Sequence, residues 1–225
     1  VAGQQHGLVL LDADGEPVRP AKLWNDTTSA PNADRLVAQL GAQRWAAATG
    51  SVPVAAFTVT KLAWVAEHEP EVLARATRVM LPHDYLTWRL CGAHVTDRGD
   101  ASGTGWFDAG TGDYLCDLFK AATDGTWEGV LPTVLGPTDA AGTLSAAAAD
   151  ALGLPAGVVV GPGTGDNMGA ALGLGLRAGD VAVSLGTSAT TYTLNENEVA
   201  PIIRSVPPRW ISSTTTARRS ANNRS

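Results

Sequence analysis

The stretch VVVGPGTGDNMGAALGL, at residues 158–174, carries the most ordered local pattern in the chain. Its opening valines, at residues 158–160, are β-branched and predict a short strand. Residues 161–166 are rich in glycine and predict a turn, and residues 167–174 are rich in Ala and Gly and predict a helix. A strand that leads through such a turn into a helix indicates a fold that mixes strands with helices.

This arrangement first suggests a dinucleotide site, but its fit to that motif is incomplete. Gly161 and Gly163 occupy the first and third positions of the turn, whereas Asp166 occupies the sixth, where the motif requires glycine. A carboxylate at that position would repel the pyrophosphate that the motif binds. A dinucleotide is therefore disfavoured.

Asp166, next to the predicted helix, is a candidate general base. The helix dipole and the free backbone N–H groups keep such a carboxylate ionised, and the surrounding glycines let a substrate approach the backbone. These properties suit the removal of a proton from a hydroxyl group. From the local pattern alone, an aspartate that only caps the helix fits equally well.

A second candidate binding element follows about 20 residues later in the sequence. Residues 181–185 and 189–194 predict two strands, joined by a tight turn of Gly186, Thr187 and Ser188. Backbone N–H groups and small hydroxyls in such a turn can cradle phosphate oxygens. Gly-Thr-Ser turns are common, so the position of this turn after Asp166, rather than its composition, supports a phosphate-binding role.

The rest of the chain alternates between short predicted strands and helices. Two strands forming a hairpin are predicted at residues 7–11 and 17–23, and residues 93–127 predict loops and short strands. One helix has the apolar face Leu36, Val37 and Leu40 and is capped by Asn32 or Asp34. The other helices are predicted at residues 60–68, 71–80, 84–90 and 140–152. These elements place the fold in the α/β or α+β class.

Composition excludes several classes of protein. The 225 residues are 44% hydrophobic and 17% charged, which excludes a disordered chain. The net charge of −6 disfavours a nucleic-acid partner, and no apolar run reaches the ~18 residues of a membrane span. Cys91 and Cys116 do not form a secreted disulfide framework, so we predict reduced thiols and a cytoplasmic location.

The histidines allow more than one interpretation. His6, just before the first predicted strand, is either a satisfied histidine at a strand end or a residue that donates a hydrogen bond to a polyol. Core packing or turn formation is favoured for Phe57 and for the Trp-Asn-Asp sequence at residues 24–26. His68, His83 and His94 lack metal-ligand spacing, so no side-chain metal site is predicted.

Seven segments together resemble the FGGY carbohydrate kinases, and most closely the branch that phosphorylates D-xylulose. They run from residue 3 to residue 188 in the order of the family: GQQHGLVLLD (3–12), LWND (23–26), FTVTKLAWV (57–65), LPHDYL (81–86), TDRGDASGT (96–104), GTGDN (163–167) and SLGTS (184–188). Family members usually carry Met at Gln5, Arg at Thr28 and Gly at Ala56, which leaves local loop geometry open at the last two positions.

The resemblance implies an actin-like ATPase fold of the ribonuclease H-like type, with two domains around a cleft. It implies transfer of the γ-phosphoryl group of ATP, with Mg²⁺, to the terminal hydroxyl of D-xylulose. Asp166 would be the general base, and Asn167, Gln5 and His6 would bind the sugar, with Gln5 acting mainly through its backbone. The turn at residues 186–188 would bind ATP phosphates. A homodimer is compatible with this assignment, and neither a nucleic acid nor a membrane is expected as a partner.

The resemblance also implies a division of the chain. We expect most of a sugar-binding domain at residues 1–157, the start of an ATP-binding domain at residues 158–195, and an atypical tail at residues 196–225 that is either disordered or the product of a lost reading frame. No Asp-x-Gly-Thr phosphate hairpin precedes His6, so we expect the chain alone to be incomplete for catalysis. The alternatives are a kinase for glycerol, L-ribulose or another polyol, and a sugar-binding remnant without catalysis.

Overall fold

The computed structural model describes residues 1–123, 130–185 and 189–194. Its helices are α1 (Ala30–Leu40), α2 (Ala42–Thr49), α3 (Thr58–His68), α4 (Pro70–Leu73), α5 (Pro82–Cys91), α6 (Arg98–Ala101), α7 (Cys116–Thr123), α8 (Ala146–Leu152) and α9 (Asp166–Gly173). Its strands are β1 (Ala2–Gly3), β2 (Val9–Leu11), β3 (Arg78–Met80), β4 (Val95–Asp97), β5 (Phe107–Asp108), β6 (Asp113–Tyr114), β7 (Thr133–Leu135), β8 (Gly142–Thr143), β9 (Val159–Val160), β10 (Thr164–Gly165), β11 (Val181–Leu185) and β12 (Ala189–Thr193). Within these residues, no helix has the length and apolar character that a membrane span requires.

The chain divides into two compact units, Val1–Asp166 and Asn167–Ser225. The described part of the second unit contains most of α9 and the antiparallel pair β11–β12, in which Leu185 faces Ala189 in register. The two predicted strands are therefore confirmed, whereas the turn at residues 186–188 lies outside the described residues. The boundary expected at residue 157 concerns the domains of the family and stays a prediction.

Helix α3 lies at the centre of the core of the first unit. Its residues Val59, Leu62 and Val65 have no exposed surface, and each such burial contributes about 1.5–3 kcal/mol relative to an exposed side chain. The indole rings of Trp45 and Trp106 belong to the same apolar cluster. This core fixes the elements that carry the polar residues described below.

The predicted helix at residues 71–80 is wrong in its second half. Helix α4 ends at Leu73, and residues 78–80 form β3, which pairs antiparallel with β2. Val79 and Met80 are buried in this pair, so pairing with β2 overrides the helical pattern. The hairpin partner predicted at residues 17–23 forms only isolated bridges, Leu8 with Lys22 and Leu11 with Pro17.

Three other expectations about helices need correction. Helix α7 forms within the predicted loop region, because it buries Leu118 and Phe119 against the core. Helix α1 begins at Ala30 with Ser29 as its N-cap residue, and Asn32 is a buried helical residue that donates to the Glu67 carboxylate at 2.7 Å. The helix predicted at residues 140–152 begins only at Ala146, since residues 142–143 pair with β9.

Candidate functional site

Strands β1 and β10 bring distant parts of the first unit together. They pair in parallel, with Ala2 opposite Thr164 and Gly3 opposite Gly165. Because parallel strands end at the same edge, the residues that follow each strand become neighbours there. Those residues are Gln5 and His6 after β1 and Asp166 after β10, so three of the predicted site residues share one edge.

Gln5 packs directly over the last residue of β10. A β-carbon built on Gly165 would lie 2.6 Å from Nε2 and 2.7 Å from Cγ of Gln5, closer than real side chains allow. Gly165 therefore provides the space that the Gln5 side chain occupies, and that side chain is only 5% exposed. Its side chain thus faces the protein interior, and sugar contact through its backbone stays a prediction.

His6 is fixed by contacts on two sides of its ring. Its Nδ1 donates to the carbonyl oxygen of Gly103 at 2.9 Å, and the ring stacks on Phe57 with centroids 4.9 Å apart. The backbone at His6 has a φ of 64°, a left-handed conformation that is uncommon for residues other than glycine. Such backbone geometry needs support from its surroundings, which the hydrogen bond and the stacked ring supply.

The protonation of His6 determines what it offers to a ligand. Burial lowers the pKa of its imidazole below the ordinary 6.5, although the Gly103 carbonyl and the Asp100 and Asp166 carboxylates oppose this shift. A neutral ring that donates from Nδ1 carries a lone pair on Nε2. His6 therefore presents a hydrogen-bond acceptor, in contrast to the donor role that is one of the two alternatives open from the sequence.

The helix predicted at residues 167–174 begins one residue earlier, at Asp166, whose side chain is exposed. Its carboxylate therefore lies at the positive end of the helix dipole. Asn167 is the second residue of the same helix. The roles of both residues toward a substrate stay predictions.

The buried Lys61 connects two loops on the His6 side of the site. Its Nζ donates to the carbonyl oxygens of Asp26 at 3.0 Å and Ala55 at 2.9 Å. Burial lowers the pKa of Lys61 to about 8, and the Asp26 carboxylate opposes this shift. Phe57, which stacks on His6, lies two residues after Ala55 in the chain. By binding the Ala55 carbonyl, Lys61 therefore holds the segment that supports the His6 ring.

The loop at Asp26 is held by further charged contacts. The Asp26 carboxylate accepts from Lys22 Nζ at 2.8 Å and from the Thr28 hydroxyl at 2.6 Å. Burial alone would raise the pKa of Asp26, but these hydrogen bonds lower it. Lys22 Nζ also lies 3.8 Å from the centroid of the Trp64 ring. Thr28 thus takes part in an ordered loop, although family members usually carry Arg at this position.

Sequence reasoning missed a buried polar cluster beneath the site. The spacing of His83 in the sequence disfavours a metal-ligand role and indicates no other, whereas in the structure its ring lies against the side chains of Asp84, Asp97 and Asp100. The signal in the sequence was the charged content of LPHDYL and TDRGDASGT, two segments in which apolar neighbours predict burial.

Neither the predicted phosphate-binding turn nor a metal site can be located in the described residues. Gly186, Thr187 and Ser188 lie outside them. Among the residues that the structure describes, no group of three or more His, Cys, Asp or Glu residues is placed to hold a metal ion.

Comparison with known proteins assigns the family. Residues 1–173 match the N-terminal domain of the FGGY family of carbohydrate kinases. The chain belongs to this family. It is 55% identical over 204 residues to a xylulose kinase of Streptomyces coelicolor, covering 89% of this chain and 41% of that kinase. The chain thus spans about 41% of the length of the curated relative that it matches.

Solved structures of FGGY kinases confirm the predicted fold class. The xylulose kinase of Bifidobacterium adolescentis matches with a TM-score of 0.77 and 43% identity, over 84% of this chain and 45% of that one. The xylulose kinase of Rhodospirillum rubrum matches with a TM-score of 0.78 and 30% identity, over 84% of this chain and 38% of that one. The fold is the actin-like ATPase fold of the ribonuclease H-like type.

Proposed function

We propose that this FGGY chain supplies the sugar-binding part of a kinase that phosphorylates D-xylulose to D-xylulose 5-phosphate with ATP. The observation that carries the proposal is the parallel pairing of β1 with β10, because it brings Gln5 and His6 to the edge where Asp166 stands. The relatives that are named xylulose kinases support D-xylulose as the sugar.

In the proposed reaction, Asp166 removes the proton from the terminal hydroxyl of the sugar. The hydroxyl oxygen forms a bond to the γ-phosphorus of ATP as the bond to the bridging β,γ-oxygen breaks, so ADP leaves and the proton stays on the carboxylate. Mg²⁺, when bound with ATP, neutralises charge on the phosphates. Positioning contributes much of the rate in such transfers, and it comes here from the residues around the sugar.

The fixed His6 ring gives this site a defined polar contact. Its Nε2 accepts a hydrogen bond from a sugar hydroxyl, since Nδ1 is already donating to Gly103. The stacked Phe57 ring and the Lys61 anchor hold the imidazole before the sugar arrives. Less ordering on binding is then needed, which favours affinity.

Sugar specificity is tested by calorimetric titration of the 225-residue chain with D-xylulose, L-ribulose and glycerol. We expect D-xylulose to bind most tightly, by about tenfold or more, because a hydrogen-bonding site discriminates against ligands that leave its groups unpaired. Equal affinities would contradict the choice of sugar, and binding of none of the three would contradict a sugar-binding role.

Transfer of phosphate is tested in a hybrid kinase, in which residues 1–194 replace the aligned segment of the Streptomyces coelicolor enzyme. We expect the hybrid to phosphorylate D-xylulose and the 225-residue chain alone to show little or no turnover, because the transfer also needs contacts to ATP. Sugar binding in a well-folded hybrid that never transfers phosphate would favour the non-catalytic alternative. Robust D-xylulose-dependent ADP release by the chain alone would contradict its incompleteness.

A further inference from the structure

His83 lies directly against the two segments that carry the site. A β-carbon built on Gly3 of β1 would lie 2.9 Å from Cβ of His83, and one built on Gly163 would lie 2.6 Å from its Nδ1. Glycine at residue 3 therefore lets the backbone and Cβ of His83 approach β1, and glycine at residue 163 lets the imidazole approach the residue just before β10. The ring has no exposed surface.

Three carboxylates face the His83 ring. Nε2 lies 3.2 Å from Oδ1 of Asp97 and 3.0 Å from Oδ2 of Asp100, and Nδ1 lies 3.5 Å from Oδ1 of Asp84. Asp84 and Asp100 are fully buried, and Asp97 is 14% exposed. An uncompensated charge at this depth would be strongly destabilising, so the cluster needs a cation among its carboxylates.

The imidazole supplies that cation. Burial alone would lower the pKa of His83, but the carboxylates of Asp100, Asp97 and Asp84 raise it to about 10. A neutral ring has one N–H group, whereas carboxylates face both of its nitrogens. Burial also raises the pKa of Asp84, to about 7, which limits the negative charge around the ring.

The same cluster continues to the residue that holds His6. Asp100 belongs to α6, its backbone carbonyl accepts from the Gly103 N–H at 3.0 Å, and Gly103 in turn accepts from His6. Helix α6 packs on β10 and α5 packs on β1. A single buried ion-pair cluster therefore touches every segment that presents a predicted sugar-binding residue in the first unit.

We propose that His83 is a positioning residue whose ion pairs with Asp97 and Asp100 hold β1 and β10 in the arrangement that binds the sugar. This inference rests on the proposed function. His83 is not a catalytic residue, since it is fully buried against the backbone segments that carry the site. Its effect on the sugar passes through Gln5, His6 and Asp166.

The test compares His83→Gln with the wild-type 225-residue chain, and uses His94→Gln as a matched control. His94 is a partly buried histidine that contacts the Val79 carbonyl and none of the three aspartates. In chains that are fully folded by circular dichroism, we expect the D-xylulose Kd to rise about tenfold or more in His83→Gln, because loose support misplaces the contacts. His94→Gln should leave it unchanged.

A structural readout separates this inference from the proposed function. Nuclear Overhauser contacts between Gly3 and Gly165 report the pairing of β1 with β10 in any folded chain, whether or not sugar binds. We expect these contacts and the His6 ring signals to change in His83→Gln and to persist in His94→Gln. Unchanged signals together with an unchanged Kd would overturn the inference. If the wild-type chain binds no sugar, the proposed function fails. The Gly3–Gly165 contacts and the His6 ring signals alone then decide whether His83 is a positioning residue.

A milder variant covers the case in which His83→Gln does not fold. Asn is a good N-cap residue, so Asp97→Asn keeps an acceptor for the Gly99 N–H while removing one charge beside His83. We expect a weaker sugar affinity and a shift of the His6 signals in this variant. A neutral His83 ring in wild-type nitrogen spectra at pH 8, or wild-type behaviour of Asp97→Asn, would overturn the inference.

Discussion

Nδ1 of His6 donates to the carbonyl oxygen of Gly103 at 2.9 Å, across a separation of 97 residues in the sequence. This bond sets the tautomer of the ring, because a carbonyl oxygen only accepts. It also requires glycine at residue 103, since a β-carbon there would lie 2.4 Å from Cε1 of His6. The close approach of these residues therefore determines which group His6 presents to a ligand.

Gly103→Ala should displace the His6 ring and weaken D-xylulose binding by about tenfold or more, because small misplacements of contact groups have large effects. Calorimetric titration of the 225-residue chain measures this change. Gly161→Ala is the matched control, since nothing lies within 4 Å of a β-carbon built there. An unaltered affinity in folded Gly103→Ala would show that the ring position is unimportant for the sugar.

Sugar affinity should depend on pH through His6. Burial places the pKa of His6 below 6.5, so the ring is neutral at pH 7 and Nε2 accepts. Protonation at lower pH removes this acceptor, and we expect affinity to stay constant between pH 8 and 7 and to fall under more acidic conditions. Titrations at several pH values measure the trend. Affinity that rises on acidification would contradict an acceptor role.

The free energy of unfolding should fall as pH rises from 7 to 8. His83 has a folded-state pKa of about 10 against an ordinary 6.5, so in this window the folded chain keeps a proton that the unfolded chain has released. The contribution of His83 to this slope approaches about 1.4 kcal/mol per pH unit. Asp84, with a pKa of about 7, acts in the same direction, whereas Lys61, with a pKa of about 8, already opposes the fall within this window and reduces the net slope. Urea unfolding followed by tryptophan fluorescence measures the slope, and stability that rises from pH 7 to 8 would contradict a protonated His83.

Lys61→Met should destabilise the first unit by about 1–3 kcal/mol for each acceptor left without its donor. The acceptors are the carbonyl oxygens of Asp26 and Ala55. Urea unfolding measures the loss, and Lys120→Met, at an exposed position of α7, provides the comparison. Equal stability of the two variants would mean that the buried ammonium does not anchor the loops.

Local sequence patterns predicted the elements whose signals are short-range. The helix that begins at Asp166 and the strands β11 and β12 are confirmed, because glycine punctuation and apolar runs mark their bounds. The helix expected at residues 71–80 fails, because β3 exists only through its pairing with β2, about 70 residues earlier. Such long-range pairing leaves no periodic signal within the segment itself.

Only part of the site can be predicted from the sequence, again because long-range contacts leave no local signal. The family resemblance gave Gln5, His6 and Asp166, and the pairing of β1 with β10 brings them to one edge. The acceptor role of His6 required the position of Gly103, and the role inferred for His83 required three aspartates from two separate segments. Contacts of this kind depend on the folded arrangement, which spacing in the sequence does not specify.

The measurement that tests the account most directly is the turnover number of the hybrid kinase carrying Asp166→Asn. Asparagine keeps the size of the side chain but cannot accept the hydroxyl proton, and general base catalysis contributes about 10²–10⁴-fold. Asp150→Asn, at an exposed position of α8, is the matched control and should keep wild-type turnover. We predict that Asp166→Asn lowers kcat by about 100-fold or more with a small change in KM. A fall of less than about tenfold would contradict Asp166 as the general base.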